Sequence, residues 1–395
     1  MNPVTLPQPD SDARQHCARL EALIRGEIAA AGGSLPFARF MELALYAPGL
    51  GYYSAGAHKL GAAGDFITAP ELSPLFGQCL ARQCREVLQC LEGGDILEFG
   101  AGSGALAAEL LLTLETLACL PQTYYILDLS ADLRARQHET LQARAPHLLS
   151  RVTWLDRLPD AGFKGVILAN EVLDAMPVHL IRYATTGFEE LCVVSDGDGF
   201  GWRSEPIRSS ALASRVQALE KSVGDGVFHP GYTTEINLAA TAWINAIAAF
   251  LDAGVCLIID YGFPHHEYYH PDRASGTLMC HYRHRAHDHP LMMAGLQDIT
   301  AHVDFTAVAE DALAAGLEVA GFTSQAHFLL GCGLSDLLAA VDPSESRRYL
   351  TLAQQVKKLT LPQEMGELFK VLALSRGVDS PLTGFALHDR RQVLG

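Results

Sequence analysis

The sequence lacks any apolar run long enough to span a bilayer, so we expect no membrane anchor. Its beginning, MNPVTLPQPDSDARQHC, lacks the basic start and apolar stretch of a secretory signal. We therefore predict a cytoplasmic protein whose nine cysteines are reduced thiols. No two of these cysteines form a CxxC pair, and this scattered spacing argues against a zinc site.

Positive charge is also scarce in the sequence. Lys and Arg number 29 against 45 Asp and Glu, which gives a formal net charge of −16. An acidic protein repels the phosphates of nucleic acid, so we expect no nucleic-acid partner. The same charge would mildly attract a basic peptide, and the alternative is that the acidity serves solubility.

Patterns of strand and helix alternate over much of the sequence. Five apolar runs are typical of buried strands: DILEFG, TYYILDLS, RVTWL, GVILAN and GVCLIID. Helical patterns at 103–117, 132–143 and 238–251 separate several of them. This alternation predicts a doubly wound α/β fold, in which helices cover both faces of a parallel sheet.

Two regions depart from this alternation. Residues 1–90 are expected to form an N-terminal helical cap with a lid region, and 46–74 hold eight glycines and prolines among 29 residues. Residues 91–395 are expected to form the catalytic domain. Within it, about 178–234 are predicted to be an insertion, because the alternation stops there and the turn DGDGFG suits a hairpin.

A turn that binds an adenosine-bearing cofactor is predicted where LEFGAGSG joins the first strand to the first helix. Gly100, Gly102 and Ala105 match the dinucleotide spacing G-x-G-x-x-G/A, which keeps a nicotinamide or flavin enzyme open. Glu98 favours S-adenosylmethionine instead, because a carboxylate suits an ammonium group better than a pyrophosphate. Asp128 ends the second strand, where a carboxylate is expected to accept hydrogen bonds from both ribose hydroxyls of either cofactor; the alternative is a capping residue before the helix that follows Ser130.

These motifs, with ANEVLDAMPV, IIDYG and GDFITAPELSPLFG, resemble the MidA-like family of class I S-adenosylmethionine-dependent methyltransferases. The resemblance runs from about residue 26 to 376 and includes RASGTLMCHYRH, QDITAHVDF, TSQAHFL and LPQEMGELFKVLAL. It implies a Rossmann-like methyltransferase sheet with an N-terminal helical cap and an inserted segment on the substrate side. It also implies a protein substrate, an arginine on a subunit of respiratory complex I, which the mitochondrial members methylate.

The resemblance further implies which residues form the site. Those implied to bind the cofactor are Glu98, Gly100, Gly102, Gly104 and Asp128. Those implied to belong to a lid over it are Gly64, Asp65, Phe66 and Thr68. Those implied to lie beside the reacting methyl group are Asn170, Glu171 and Asp174. Within the related strip GTLMCHYRH, we expect His281, Tyr282 and His284 to line the substrate groove, with core packing as the alternative for Tyr282.

The carboxylates of ANEVLDAMPV suit an arginine acceptor chemically. A guanidinium is protonated at neutral pH, so its nitrogen must be freed by partial deprotonation or by polarisation in a dry site. Glu171 and Asp174 could grip the guanidinium bidentately, and both would lie on one face if the turn between them is helical. The alternatives are a loop charge for Glu171, a helix cap for Asp174 and a turn residue for Asn170.

Seven histidines between residues 265 and 289 fit no established metal-ligand spacing, so we expect a polar loop surface there and no metal site. Two other functions stay open at this point. One is a nicotinamide-dependent oxidoreductase. The other is a non-catalytic assembly chaperone that grips a respiratory-complex subunit, although the presence of both Glu171 and Asp174 weighs against it.

Overall fold

The structure, a computed structural model, describes residues 6–54, 68–224, 226–342 and 344–395. The helices in chain order are α1 (Ser11–Ala30), α2 (Phe37–Tyr46), α3 (Ala69–Leu72), α4 (Pro74–Cys90), α5 (Ala105–Thr116), α6 (Ala131–Arg144), α7 (Ser210–Val223), α8 (Leu238–Phe250), α9 (His265–Tyr268), α10 (Phe305–Ala314), α11 (Gln325–Gly331), α12 (Leu334–Ala339), α13 (Ser346–Thr360) and α14 (Met365–Leu368). The strands are β1 (Leu35–Pro36), β2 (Asp95–Phe99), β3 (Tyr124–Leu127), β4 (Val152–Leu155), β5 (Phe163–Asn170), β6 (His179–Ala184), β7 (Gly187–Asp196), β8 (Gly199–Glu205), β9 (Thr233–Ile236), β10 (Leu251–Phe263), β11 (Met279–Tyr282), β12 (Arg285–His287), β13 (Asp298–Thr300), β14 (Val303–Asp304), β15 (Glu318–Ser324) and β16 (Phe369–Arg376).

The chain forms two compact units, and each is assembled from three separate segments. The described residues of the first unit are 6–54, 174–224, 226–242 and Phe263–His302. Those of the second unit are 68–173, Trp243–Gly262, 303–342 and 344–395. The segment predicted as an insertion, about 178–234, therefore belongs to the first unit together with α1 and α2, whereas α3 and α4, which lie within the predicted cap of residues 1–90, belong to the second unit.

The second unit is built on a sheet with the strand order β15-β16-β10-β5-β2-β3-β4, and β14 also pairs with β10. The five strands predicted from the apolar runs, β2, β3, β4, β5 and β10, are all present and pair in parallel. β16 runs antiparallel to both of its neighbours, β10 and β15. The reversed strand β16, which lies between β10 and β15, distinguishes this sheet from the dinucleotide-binding order 3-2-1-4-5-6.

Both faces of this sheet are covered, as the predicted doubly wound fold requires. Ile96 and Leu97 are consecutive residues of β2 that point to opposite faces, and both are fully buried. Ile96 belongs to a core that includes buried residues of α4 and α5. Next to the other face, the ring of Phe99 packs edge-on against Trp243 of α8, with ring centroids 5.2 Å apart. The α/β prediction is confirmed.

The first unit contains a sheet of order β1-β7-β6-β9, with β8 added on β7, and a smaller sheet of order β12-β11-β13. α1 buries the face predicted from its apolar spacing, which consists of Cys17, Leu20, Ile24 and Ile28. The predicted hairpin at DGDGFG joins β7 to β8, where Asp196 pairs with Gly199.

Among the helices of the described residues, none combines the length and the apolar character that crossing a membrane requires. The same residues contain no group of three or more His, Cys, Asp or Glu side chains placed to hold a metal ion.

Candidate active site

The glycine turn between β2 and α5 has a backbone that side chains rarely adopt. Gly100, Gly102 and Gly104 have φ angles of 60°, 54° and 82°, all in the left-handed region that favours glycine. A Cβ atom on Gly104 would also lie 2.9 Å from the Cα atom of Gln137. The turn leads into the N-terminus of α5, where the N–H of Ala105 donates to the Ser103 hydroxyl at 3.3 Å and the positive end of the helix dipole suits a polar ligand.

Glu98 is a buried carboxyl at the end of β2, with 3% of its surface exposed. Its Oε2 atom accepts a hydrogen bond of 2.7 Å from the Tyr124 hydroxyl. Burial raises the pKa of Glu98 to about 7, against the lowering effect of that hydrogen bond. A cationic group bound beside this carboxylate would offset the cost of burying its charge.

Asp128 follows β3, and backbone and side-chain donors hold its carboxylate. Its Oδ1 atom accepts from the backbone N–H of Ser130 at 2.9 Å, and its Oδ2 atom accepts from Gln137 Nε2 at 2.8 Å. Burial raises the pKa of Asp128, while these two bonds and the nearby Arg134 lower it. The next residue, Leu129, is 78% exposed and offers an apolar surface directly beside the carboxylate.

Gln137 is a buried residue of α6 that sequence reasoning missed. Its Nε2 atom donates both to Asp128 and to the backbone oxygen of Gly102, at 3.1 Å, and its Oε1 atom accepts from Trp154 Nε1 at 3.0 Å. It lies inside a helix, away from every motif, so no local pattern marks it.

The turn after β5 carries Asn170 and Glu171, which the structure brings together. Asn170 Nδ2 donates to Glu171 Oε1 at 3.2 Å, while Asn170 Oδ1 is buried without a hydrogen-bond partner among the described residues. Glu171 has a left-handed backbone with a φ of 54°. Such a conformation in a residue other than glycine costs free energy and is often found at functional sites. The local fold therefore gives Glu171 a fixed direction.

Two backbone contacts to the neighbouring strand β10 hold this turn. The N–H of Glu171 donates to the Ile259 oxygen at 2.9 Å, and the N–H of Leu173 donates to Asp260 Oδ2 at 3.0 Å. Residues 171–174 form no helix, so the condition that would place both carboxylates on one helical face is not met. The left-handed backbone of Glu171 excludes a regular helical turn. Asp260, which is fully buried, is a second residue whose supporting role sequence reasoning missed.

Asp174 belongs to the first unit and is 5% exposed. Its backbone oxygen accepts a hydrogen bond from the N–H of Ala301 at 2.9 Å, and the adjacent Ala175 oxygen accepts from the Tyr46 hydroxyl at 2.9 Å. These contacts fix the start of this segment within its unit. Asp174 caps no helix in the structure.

The histidine strip forms a hairpin from β11 and β12 in the first unit. His281 pairs with Ala286 across the hairpin and is partly exposed, while Tyr282 is 4% exposed. Arg283 and His284 form the turn with φ angles of 47° and 62°, and His284 is exposed. The burial of Tyr282 fits the alternative of core packing, and the roles of His281 and His284 stay predictions.

Of the predicted lid residues, Gly64, Asp65 and Phe66 lie outside the described residues. Thr68 precedes α3, and its backbone oxygen accepts from the N–H of Glu71 at 3.1 Å. The Glu71 carboxylate in turn accepts a hydrogen bond from the Ser103 hydroxyl in the glycine turn. The segment that follows the predicted lid is thereby tied to the glycine turn.

Comparison with known proteins decides which cofactor this turn serves. Residues 79–323, more than half of the chain, match the family described as "Putative S-adenosyl-L-methionine-dependent methyltransferase". The chain belongs to this methyltransferase family. The family and the reversed strand β16 together overturn the alternative of a nicotinamide-dependent oxidoreductase.

One solved structure and two relatives are similar to this methyltransferase over most of its length. The structure, a "likely methyl transferase" from Burkholderia thailandensis bound to S-adenosyl-homocysteine, is 50% identical with a TM-score of 0.93 and covers 98% of this chain and 100% of its own. The Drosophila melanogaster protein arginine methyltransferase NDUFAF7 homolog is 29% identical over 97% of this chain and 92% of its own. The human protein arginine methyltransferase NDUFAF7 is 26% identical over 87% and 80%.

S-adenosylmethionine is the cofactor of this enzyme, and the residues of the second unit fit it. The buried Glu98 carboxylate suits the ammonium group, and the open glycine backbone allows close approach. Asp128 suits the ribose hydroxyls, and the exposed Leu129 offers an apolar surface for the adenine. The contacts of Glu98, Asp128 and the glycine turn stay predictions, and none of these residue types conflicts with the ligand.

Proposed function

We propose that the methyltransferase acts on a protein arginine and that Glu171 binds the guanidinium. The observation that carries this proposal is the carboxylate of Glu171, directed by a left-handed backbone and by the hydrogen bond from Asn170 Nδ2. A carboxylate of fixed direction matches the planar fork of a guanidinium. The relatives named as protein arginine methyltransferases support the same acceptor.

The cofactor supplies a methyl group on a sulfonium that is already activated for transfer. The protein therefore has to position the acceptor, exclude water and accept a proton. Glu98 holds the ammonium group, Asp128 holds the ribose hydroxyls, and the backbone around Gly100 and Gly102 carries the rest of the ligand. These contacts fix the position of the methyl donor relative to the protein.

At the acceptor, Glu171 pairs with one edge of the guanidinium and increases electron density on the nitrogen that faces the methyl group. Asn170 Oδ1 accepts an N–H from the same group, which gives this buried atom a partner. The nitrogen forms the new N–C bond as the C–S bond breaks, and the proton that it loses passes to the Glu171 carboxylate.

The acceptor we propose is an arginine on a subunit of respiratory complex I, as the sequence resemblance implies. The acidic protein, with its net charge of −16, is suited to attract a basic segment of such a subunit. The cytoplasmic location stays a prediction from the sequence.

The test is methyl incorporation from isotope-labelled S-adenosylmethionine into the arginine of a complex I subunit from the same source. Glu171→Gln keeps the size of the side chain but removes its charge, so turnover should fall by a factor of roughly 10² or more. S-adenosylmethionine affinity should stay near that of the unmodified enzyme. Glu220→Gln, on the exposed surface of α7, makes the same change in charge and should leave turnover unchanged.

Three outcomes separate the competing functions. If Glu171→Gln methylates as fast as the unmodified enzyme, the proposed role of Glu171 is wrong. If a lysine in place of the acceptor arginine is methylated equally well, the bidentate grip is wrong. If the unmodified protein binds the subunit and S-adenosylmethionine but transfers no methyl group, the assembly chaperone becomes the better description.

A further inference from the structure

We propose that Gln137 is a positioning residue for the cofactor, which orients the Asp128 carboxylate toward the ribose and links it to the glycine turn. Trp154 in turn fixes the orientation of the Gln137 amide. The proposal rests on the proposed role of Asp128 in binding the ribose hydroxyls. It adds two residues, on α6 and β4, that no sequence motif includes.

The contacts of Gln137 connect two parts of the predicted cofactor site. Its Nε2 atom donates one hydrogen bond to Asp128 Oδ2, at 2.8 Å, and another to the Gly102 oxygen, at 3.1 Å. A single amide group therefore uses both of its N–H bonds on residues from different loops. The relative position of these two loops determines whether the ribose and the rest of the cofactor can be held together.

Trp154 determines which way the amide faces. The indole N–H is only a donor, and it donates to Gln137 Oε1 at 3.0 Å. If the amide were reversed, its oxygen would face the acceptors on Asp128 and Gly102, while its NH2 group would face the indole donor. All three contacts would then be repulsive, so this network allows one orientation of the amide.

Burial makes these contacts strong and leaves little room for an alternative. Gln137 is fully buried, so solvent cannot replace a lost partner. Its backbone also lies against the turn, because a Cβ atom on Gly104 would come within 2.9 Å of the Gln137 Cα atom. The packing of α6 and the polar contacts of its side chain therefore fix the same turn.

The electrostatic effect on Asp128 follows from the same geometry. Burial raises the pKa of Asp128, and the amide N–H of Gln137 is one of the groups that lower it. A hydrogen bond to the ionised carboxylate favours the form that accepts hydrogen bonds from ribose hydroxyls. A carboxyl at position 137 would reverse this effect once it is ionised, because two like charges would then face each other.

The test variant is Gln137→Glu, measured by calorimetric titration with S-adenosylhomocysteine between about pH 5.5 and 8.5. At pH 8 the variant should bind about tenfold or more weakly than the unmodified enzyme, since an ionised carboxyl cannot donate to Asp128. The difference should shrink toward pH 5.5, where the introduced carboxyl carries a proton that it can donate. Gln142→Glu adds the same charge at an exposed position of α6, and its affinity should follow the unmodified enzyme at every pH.

Two further measurements separate positioning from a loss of folding. Trp154→Phe keeps a ring in place but removes the donor that orients the amide, so it should raise the KM for S-adenosylmethionine and leave kcat unchanged. In the ligand-free enzyme, NMR of ¹³C-labelled aspartate should find that the Asp128 carboxyl titrates at higher pH in Gln137→Glu. The carboxyl signal of Asp128 is assigned as the one that is missing from the spectrum of Asp128→Ala.

The outcomes are distinct. If Asp128→Ala binds S-adenosylhomocysteine as tightly as the unmodified enzyme, the ribose contact itself is wrong. The positioning role of Gln137 is wrong if Asp128→Ala weakens binding but folded Gln137→Glu does not. It is also wrong if Gln137→Glu loses the same affinity for S-adenosylhomocysteine at every pH. Should Gln137→Glu fail to fold, an unchanged KM in Trp154→Phe would overturn the proposal.

Discussion

At the scale of single residues, Glu98 combines two properties that oppose each other. Its carboxyl is buried against the Tyr124 hydroxyl, yet its predicted partner, the ammonium group of the cofactor, requires the ionised form. The folded protein without ligand therefore favours the protonated acid at a pH where an exposed glutamate is charged. Cofactor binding near neutral pH should release a proton from this site.

This conflict predicts how the stability of the ligand-free protein depends on pH. The pKa of Glu98 rises from 4.5 to about 7 on folding, so the folded chain keeps a proton that the unfolded chain releases between these values. The free energy of unfolding therefore contains a contribution that decreases as pH rises from about 4.5 to about 7. Glu98→Gln has no proton to lose at this position. Its free energy of unfolding, relative to that of the unmodified protein, should therefore rise through this pH window and then stay constant.

Urea unfolding of both proteins at about pH 5 and pH 8 measures this difference, since all other titrating groups are common to the two. An equal gap in unfolding free energy at both pH values would mean that Glu98 titrates like an exposed glutamate. A separate calorimetric titration at pH 8 should find that Glu98→Gln binds S-adenosylmethionine more weakly than the unmodified protein, because the ammonium group loses its charged partner.

At the scale of elements, the turn between β2 and α5 needs glycine for two different reasons. At Gly100, a Cβ atom would meet only Val172 Cγ2 at 3.5 Å, an ordinary contact. At Gly104, a Cβ atom would collide with the backbone of α6. A Cβ atom at position 100 therefore fits within the protein, whereas a Cβ atom at position 104 does not.

The two alanine variants should therefore fail differently. Gly104→Ala should lower the free energy of unfolding by about 2–4 kcal/mol, through backbone strain and the collision with Gln137. Gly100→Ala should cost only about 1 kcal/mol of stability but lower S-adenosylmethionine affinity about tenfold or more, because its methyl group lies where the ligand approaches. Chemical unfolding and calorimetric titration of both variants check this. Equal losses of stability would contradict the distinction.

The elements of the sheet were predictable because their signals are local. The parallel strands are short apolar runs, helices follow β2 and β3, and the face of α1 follows a helical spacing. β15 and β16 were not predicted, since the sequence does not specify that β16 inserts between β10 and β15. Pairing of this kind depends on contacts between distant segments.

The candidate site was predictable only where a motif carried it. Glu98 lies at the end of one predicted strand, and Asp128 and Glu171 lie at or just after the ends of two others, so their positions relative to the strands identified them. Gln137 and Asp260 were missed because their importance lies in the atoms they contact, which are distant in sequence. The left-handed backbone of Glu171 was also unpredictable, since glutamate has no preference for that conformation.

At the scale of the whole molecule, net charge should control how fast a basic acceptor arrives. The protein carries a formal charge of −16, and electrostatic attraction of this kind is screened by salt. The KM for a basic acceptor peptide should rise at least several-fold between about 20 mM and 300 mM salt. The KM for S-adenosylmethionine should change much less, because its contacts are short-range. Steady-state kinetics at several salt concentrations test this. A peptide KM that does not change with salt would exclude electrostatic attraction of the acceptor by the net charge.

The position of β16 within the second unit has a consequence for how the protein is made. This strand lies inside the sheet, between β10 and β15, yet it is the last strand of the chain. A ribosome must therefore synthesise the chain through Arg376 before the sheet can be completed, and until then β10 and β15 lack the strand that pairs with both of them. Exposed edges of apolar strands promote aggregation. A nascent chain of this enzyme should thus depend on cellular chaperones late in translation, when its first strands have long left the ribosome.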